Sequence, residues 1–543
     1  MKKTVFSSKF IPQIFLGCLF LMMIFTVFVA ANDYGITPDE TLQNSYGHRV
    51  LTWYQTLGKN NGFLHYDSEL YMSEHGPFFE VIVAVAQKIF GHEWYTRAVV
   101  NGLAGVVGVL AIALCGYELG GYWLAFVAGL FLWLYPRFFG SIFNNSKDIP
   151  FATSMTLILW AVLLLVGQWN DKRRYVRNSI LVGLCIGMAL SIRVTAVMWY
   201  FMLFFIPAFW WLTNLRKTLN KEQVIAALKK QVVSALLIGV VSFLTMMILW
   251  PYIFLDPFKN LYHSIVVMQR YPWNGPVIFN GGIYPGQKLP WSYIPVWLAI
   301  GSPLIIVLFT LLGFLLPLGR AIKSRMIDLR VVVVYMALLV PVALMIVLHA
   351  TLYDGPRQFS FLIPVMILIA AYGFLSLCDL LLLRQQRLPR ILLAALVITT
   401  SINFVFVIKD MSDLHPYEYT YFNALVGGVS GANGKYDIDY WRICSKPAAQ
   451  WLASNYQKFT EKQNPTVTSL PISDQVMLYL PKSFSLNEAN PDFYVGSMKD
   501  HFDQLFPKYR IIHTESIAGQ IPACVVKMRQ PEGNGSTRER RER

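Results

Sequence analysis

Apolar residues in this chain run in long blocks, and polar residues gather in short stretches between them. The blocks fall at 11–31, 97–117, 121–140, 149–167, 178–193, 194–212, 232–254, 292–317, 331–350, 359–382 and 391–408. Each approaches the ~17–25 residues a helix needs to cross a bilayer, although 178–193 is short and 178–212 is open to another division. The pattern predicts an all-α polytopic membrane protein of about eleven transmembrane helices. A shorter run at 77–91 carries Glu80 and Lys88. It suits a juxtamembrane amphipathic helix lying in the interface. The alternating pattern of a membrane barrel is missing. The first block follows Lys2, Lys3 and Lys9 and ends in Val29-Ala30-Ala31, as a signal peptide would. Its apolar stretch exceeds the ~7–15 residues of a signal core, which favours an uncleaved first span.

Beyond Lys409 the pattern turns polar. A helix-like stretch at 446–456 and strand-like stretches near 465–470 and 509–528 predict a small α+β domain of ~100 residues. The expected division is a transmembrane domain at 1–408, an α+β domain at 409–530 and a charged, disordered tail at 531–543. The transmembrane part includes a large first loop, 32–96, with the juxtamembrane helix 77–91.

Composition narrows the class. The 543 residues are 55% hydrophobic and 14% charged, against about 25% charged in soluble proteins. The mean hydropathy is +0.45. These values exclude an ordinary cytosolic enzyme and a disordered chain. The net charge of +15 is better read as loop charge fixing membrane orientation than as nucleic-acid binding. With the N-terminus inside, the clusters Lys172-Arg173-Arg174, Arg216-Lys217, Lys229-Lys230, Arg320/Lys323/Arg325 and Arg384/Arg387/Arg390 all fall inside. Loops 32–96, 141–148, 255–291 and 351–358 and the region 409–543 then share the outer face. Counting 77–91 as a span would reverse this. Of the six cysteines, Cys18, Cys115, Cys185 and Cys378 lie in apolar blocks. Cys444 and Cys524 can form a disulfide if their region lies in an oxidising compartment.

Five polar constellations stand on the outer face. In Thr37-Pro38-Asp39-Glu40, Thr37 fits an N-cap, Pro38 the first helical position and Glu40 the third, a capping box. The competing reading makes Asp39 a base facing a cavity at the membrane surface. In Asn144-Asn145-Ser146-Lys147-Asp148, Asp148 either caps the next helix or joins Lys147 in a cleft for an anion. Arg193 lies between apolar runs, where a charge is costly; it either snorkels or meets a phosphate. In Tyr353-Asp354-Gly355-Pro356-Arg357, Asp354 and Arg357 either shape a turn or place Arg357 at a leaving phosphate. The loop 255–291, with His263, Arg270 and Tyr271, is an aromatic belt or a cover over a lipid or sugar site. His75 lies in a further candidate substrate loop. No spacing matches a P-loop, dinucleotide fingerprint, zinc site or serine triad.

Taken in order, TPDE (37–40), HGPFFE (75–80), NNSKDIPFA (144–152), SIRVTA (191–196), LPWSYIPVW (289–297), LYDGPRQF (352–359), HPYEYTYFNALVGG (415–428) and YDIDYW (436–441) resemble the GT-C glycosyltransferases that use polyprenyl-phosphate sugars. The likeness is nearest to the protein O-mannosyltransferase and aminoarabinose-transferase-like enzymes of bacteria. It runs from the first span to about Trp441. It implies a GT-C helical bundle and transfer of a sugar from a polyprenyl-phosphate donor to a glycan, lipid or protein hydroxyl, with inversion. Asp39 matches the family's acidic catalytic base and Glu40 its neighbour. Lys147 and Asp148 match the second loop bordering the cavity, and Arg193 and Arg357 are placed to face the lipid phosphate. Gln358 departs from relatives that carry His after the Arg. The resemblance implies no required cofactor and leaves a divalent metal open. It implies a bacterial inner-membrane location, with the C-terminal domain outside and membrane lipids as partners. The alternative from the residues is a multi-span transporter or lipid-linked-sugar flippase, which would carry midplane charges and inverted repeats; neither is visible.

Overall fold

The computed structural model describes residues 10–66, 71–214, 221–269, 271–273, 275–324, 328–382 and 387–530. Arg270 and the tail 531–543 lie outside the described residues, as do Arg216-Lys217, Arg325 and Arg384 of the basic clusters. The chain divides into two compact units. One comprises the residues up to Tyr34 with Leu42–Ile438, and the other comprises Gly35–Thr41 with the residues from Asp439 onward.

The first unit is a helical bundle. Among the described residues, seven helices are long and apolar enough to cross a membrane: Phe10–Ala30, Glu93–Gly120, Asp148–Gly167, Lys221–Leu249, Leu329–Val347, Leu362–Leu382 and Arg387–Leu414. Shorter apolar helical stretches lie at Tyr122–Trp133, Val194–Phe209 and Leu304–Gly319. The protein is an integral membrane protein. Its first helix buries Leu19, Met23 and Val27 and exposes Leu21 and Phe25. That one-sided stripe is what a helix at a bundle's lipid edge requires.

Several expected spans are interrupted or begin differently, each for a local reason. The block 121–140 breaks after Trp133, and a new short helix starts at Pro136. Proline has no N–H to continue a helix and pushes the residue before it into the extended region, where Tyr135 lies at φ −90°, ψ 108°. The block 292–317 divides into Tyr293–Ile300 and Leu304–Ser324, around Gly301-Ser302-Pro303. The expected span 178–193 belongs to a helix that starts at Lys172 and carries Arg173, Arg174 and Arg177, so its apolar part is short. Its first turn is capped by Asp171, whose side chain accepts from the Arg173 and Arg174 amides. The run 77–91 forms the helix Phe78–Phe90, with Phe79, Val83 and Ala84 buried and Ile89 and Phe90 exposed.

The composition change at Lys409 is not the boundary between the units. The helix Arg387–Leu414 runs through it. Residues 415–438 then stay with the bundle, where Tyr419, Phe422 and Tyr436 are buried. Asn423 donates through Nδ2 to the carbonyls of Ala299 and Ser302. Arg137 donates to the carbonyl of Tyr419 and lies between the rings of Trp297 and Phe422. The loop 255–291 is more regular than an open cover. It contains the helix Pro257–Gln269 and a hairpin of strands β1 (Pro276–Phe279) and β2 (Gly282–Pro285).

The second unit is α+β. Its strands are β3 (Thr466–Thr468), β4 (Ser485–Leu486), β5 (Phe493–Ser497), β6 (Arg510–Ile517) and β7 (Ile521–Met528). They form one sheet in the order β4-β3-β5-β7-β6, parallel between β4, β3 and β5 and antiparallel among β5, β7 and β6. β5 is buried along its whole length, which explains its unbroken apolar run Phe493-Tyr494-Val495. The expected helix 446–456 appears as Ser445–Asn455. Cys444 at its start is bonded to Cys524 on β7.

Candidate active site

The bundle gathers its charges at the start of the helix Asp148–Gly167. Asn145 organises the turn before it. Its Oδ1 accepts the Asp148 amide at 2.9 Å, and its Nδ2 donates to Asp148 Oδ2 at 2.9 Å. The capping acceptor is therefore Asn145, and the Asp148 carboxylate is left to face side chains. Asp148 is 2% exposed and holds two arginines. Arg193 pairs with Oδ1, and Arg357 Nε lies 3.5 Å from Oδ2. Arg357 also pairs with Asp354 at 3.2 Å through Nη1. Asp354 and Gly355 both have positive φ, 54° and 67°, conformations that Asp and Gly tolerate best. The tight turn thus aims Arg357 back at Asp148.

Arg193 is extended, at the start of a short 3₁₀ turn. A second loop crosses its chain closely. A Cβ added to Gly76 would stand 2.1 Å from the Ser191 carbonyl carbon. Phe78 also donates its amide to the Ser191 carbonyl at 3.0 Å. Glycine at 76 therefore lets His75 approach the Arg193 segment. Burial and the cations Lys147 and Arg193 hold the His75 imidazole well below its usual pKa, so it is neutral at pH 7. The cluster brings the cations Lys147, Arg193 and Arg357 together with the carboxylates Asp148 and Asp354. Guanidinium groups that are partly buried suit an anionic ligand.

Aromatic rings line the approach. Trp273 stacks on Tyr353 at 4.5 Å, Tyr271 lies 6.4 Å from Tyr353 and 6.0 Å from His75, and the Arg357 guanidinium sits over Tyr353. The Leu352 amide donates to the Gly286 carbonyl, tying this turn to the β-hairpin. His263 goes elsewhere. Its Nδ1 is 3.3 Å from the buried Glu74 carboxylate and 3.4 Å from the Tyr252 hydroxyl. Among the described residues no cluster of three or more His, Cys, Asp or Glu has the makings of a metal site.

A neighbouring network was not anticipated. Arg97, wholly buried, pairs with Glu80 at 2.8 Å and donates to Ser146. Ser146 donates in turn to Gln43 at 2.6 Å. Arg97 lies in an apolar block, the same signal that singled out Arg193.

Asp39 and Glu40 belong to the second unit. The capping box forms as its spacing predicts. Glu40 Oε2 accepts the Thr37 amide at 2.8 Å, and Thr37 Oγ1 accepts the Glu40 amide at 3.3 Å. Glu40 is buried and committed to the helix terminus. Asp39 is half-buried beside it.

Residues 74–250 match the family model of dolichyl-phosphate-mannose-protein mannosyltransferases. The chain is similar in structure to ArnT from Cupriavidus metallidurans, crystallised bound to undecaprenyl phosphate, with a TM-score of 0.50 and 12% identity over 94% of this chain and 98% of that one. The chain has the GT-C fold. The GT-C architecture expected from the motif order is thus borne out. A further likeness, to the oligosaccharyltransferase AglB from Archaeoglobus fulgidus in complex with an inhibitory peptide and a dolichol-phosphate, has 14% identity and a TM-score of 0.49, over 90% of this chain and 70% of that one. No curated protein sequence matches the chain. Within this GT-C chain, the family match spans His75, Lys147, Asp148 and Arg193, and leaves out Asp39 and Arg357.

Proposed function

We propose that the protein is a membrane glycosyltransferase that takes a sugar from a polyprenyl-phosphate donor and passes it to an acceptor hydroxyl. The observation that carries this is the meeting of Arg193 and Arg357 at the buried Asp148 in a GT-C bundle, with Asp148 and Arg193 inside the family-matched segment. ArnT, of the same fold, has been crystallised with undecaprenyl phosphate.

In this reading Arg193, Arg357 and Lys147 receive the phosphate of the donor, with Asp148 and Asp354 holding the two guanidiniums in place. As the glycosidic bond breaks, negative charge grows on the departing phosphate, and these cations stabilise it. Asp39 takes the proton from the acceptor hydroxyl. The acceptor oxygen attacks the anomeric carbon on the side opposite the phosphate, so the configuration inverts. Cations of the chain neutralise a lipid monophosphate without a required metal. The protein resides in a bacterial inner membrane with its N-terminus cytoplasmic and its second unit outside. Acceptors are a glycan, a lipid or a protein hydroxyl.

The test is transfer of radiolabelled sugar in membranes from a panel of polyprenyl-phosphate donors. Wild type transfers, and Asp39→Asn at equal abundance falls by about 10²–10⁴-fold. Undiminished transfer by Asp39→Asn would remove Asp39 as the base. Movement of the donor across vesicles with no acceptor present, and no transfer, would replace the enzyme reading with a flippase.

A further inference from the structure

The second unit contains a part of the chain that its sequence position does not announce. Gly35–Thr41 lies more than three hundred residues away along the chain, yet folds with the C-terminal sheet unit. The attachment is specific. The Ile36 amide donates to the Tyr479 hydroxyl at 2.9 Å. Gln475 Nε2 donates to Thr41 Oγ1 at 3.1 Å. A Cβ on Gly35 would lie 2.6 Å from the Ile443 carbonyl oxygen, so glycine is what lets the two backbones touch. Ile36, Thr37 and Glu40 are buried there.

The holding groups are themselves fixed. Burial keeps the Tyr479 phenol protonated, and the Lys446 ammonium sits over its ring. Gln475 is 3% exposed and lies in the short helix Ser473–Met477. Ile443 precedes Cys444, which the disulfide ties to β7. Tyr479 and Gln475 thus grip the chain on both sides of Asp39, at residues 36 and 41. The capping box between them sets the direction of the first helical turn.

We propose that the C-terminal unit is the positioning element for Asp39, with Tyr479 and Gln475 as positioning residues. The inference rests on the proposed reaction with Asp39 as base. Loss of one tether lets the first turn wander, and a displacement of ~1 Å at a reacting group costs up to ~10²-fold in rate. Donor binding, which belongs to the cations of the other unit, is left alone.

The experiment measures kcat, the donor KM and hydrogen exchange of residues 35–41 in full-length Tyr479→Phe and Gln475→Ala. Tyr479→Phe is expected to lower kcat about ten-fold, to leave the donor KM within about two-fold, and to speed exchange at 35–41. The double variant Asp39→Asn/Tyr479→Phe is expected to be no slower than Asp39→Asn alone, since a positioning group has no effect once the group it positions is gone. Unchanged kcat with unchanged exchange would overturn the proposal. A raised donor KM at constant kcat would overturn it too, making the unit a donor-binding one. A fully additive double variant would reduce Tyr479 to a structural residue. If wild type transfers from no donor while exchange quickens in Tyr479→Phe, the tether stands and the glycosyltransferase reading falls.

Discussion

Two arginine sites in the bundle show how one residue type serves two ends. Arg97 is 0% exposed and pairs with Glu80, and its guanidinium also donates to Ser146, Asn44 and Gln43. At Asp148 the side chains of Arg193 and Arg357 are 19% and 9% exposed; both meet its carboxylate, and Arg357 also meets Asp354. The first site is closed to solvent, so its work is to hold the Phe78–Phe90 helix, the Glu93–Gly120 helix and the Ser146 turn together. The second is partly open, so an anion can reach its guanidiniums. Burying an ion pair is seldom a gain in itself, but removing one partner is costly. The exposure left to the guanidiniums separates structure from site.

Breaking the closed site should give the largest effect. Arg97→Ala leaves Glu80 buried and unpaired, which costs about 3–5 kcal/mol. Thermal unfolding in detergent should show the loss, with activity falling only as folded protein falls. A variant of normal stability with lost transfer would reverse the assignment of the two sites.

Breaking the open site should act on rate. Arg357→Ala is expected to lower transfer by about 10²–10³-fold, as removal of one charge-stabilising donor does. Its unfolding midpoint should move less than that of Arg97→Ala, because Asp148 keeps Arg193 and Asn145. Arg357→Lys should recover only part of the rate. An ammonium cannot reach Asp148 and Asp354 together as the planar guanidinium does. Lys147→Ala should cost less, about ten-fold, and appear chiefly in donor KM. Equal losses in all three variants would dissolve the distinction between shared and peripheral cations.

The parts of this arrangement that the sequence displays are those with local causes. Apolar blocks placed the helices, and the Thr37–Glu40 spacing placed a capping box that forms with both bonds. The Asp354-Gly355 turn was legible from its residue types. Arg193, Lys147, Asp148 and Arg357 stood out as charges beside apolar runs. Their convergence was implied only by the family likeness and not by the residues themselves, because it depends on the Gly76–Ser191 crossing and on ion pairs between segments far apart in sequence. The break at Pro136 was written in the chain but outweighed by unbroken hydropathy. The boundary at Lys409 misled because polarity changes there while the helix continues to Leu414. Least legible was the pairing of 35–41 with the C-terminal unit, which rests on Tyr479 and Gln475, residues carrying no local signal.

The smallest effect distinguishes two histidines of opposite sign. His75 lies among cations, and its pKa is lowered by burial, Lys147 and Arg193. His415 lies among carboxylates; its Nδ1 is 2.7 Å from Glu418 and its Nε2 3.2 Å from Asp33, and its pKa is raised, chiefly by the Glu418 hydrogen bond. For His75 the unfolded chain takes up its proton first, at a pH near 6.5, so the stability it contributes is present above that pH and declines as pH falls. For His415 the folded protein holds the proton more tightly. Its contribution is full below about pH 6.5 and is lost as pH rises through the raised value. His415→Gln should therefore lower the unfolding midpoint at about pH 6 by an amount worth less than ~1 kcal/mol, since the imidazole is 36% exposed and solvent screens it, and the gap should close by about pH 9. His75→Gln should instead flatten the acid limb between about pH 7 and 5, leaving the alkaline side unchanged. Parallel pH profiles for the two variants would mean that one histidine does not sit in the field described here. Crossing profiles would separate the cation-rich surroundings of His75 from the carboxylates around His415 by a measurement that needs no substrate.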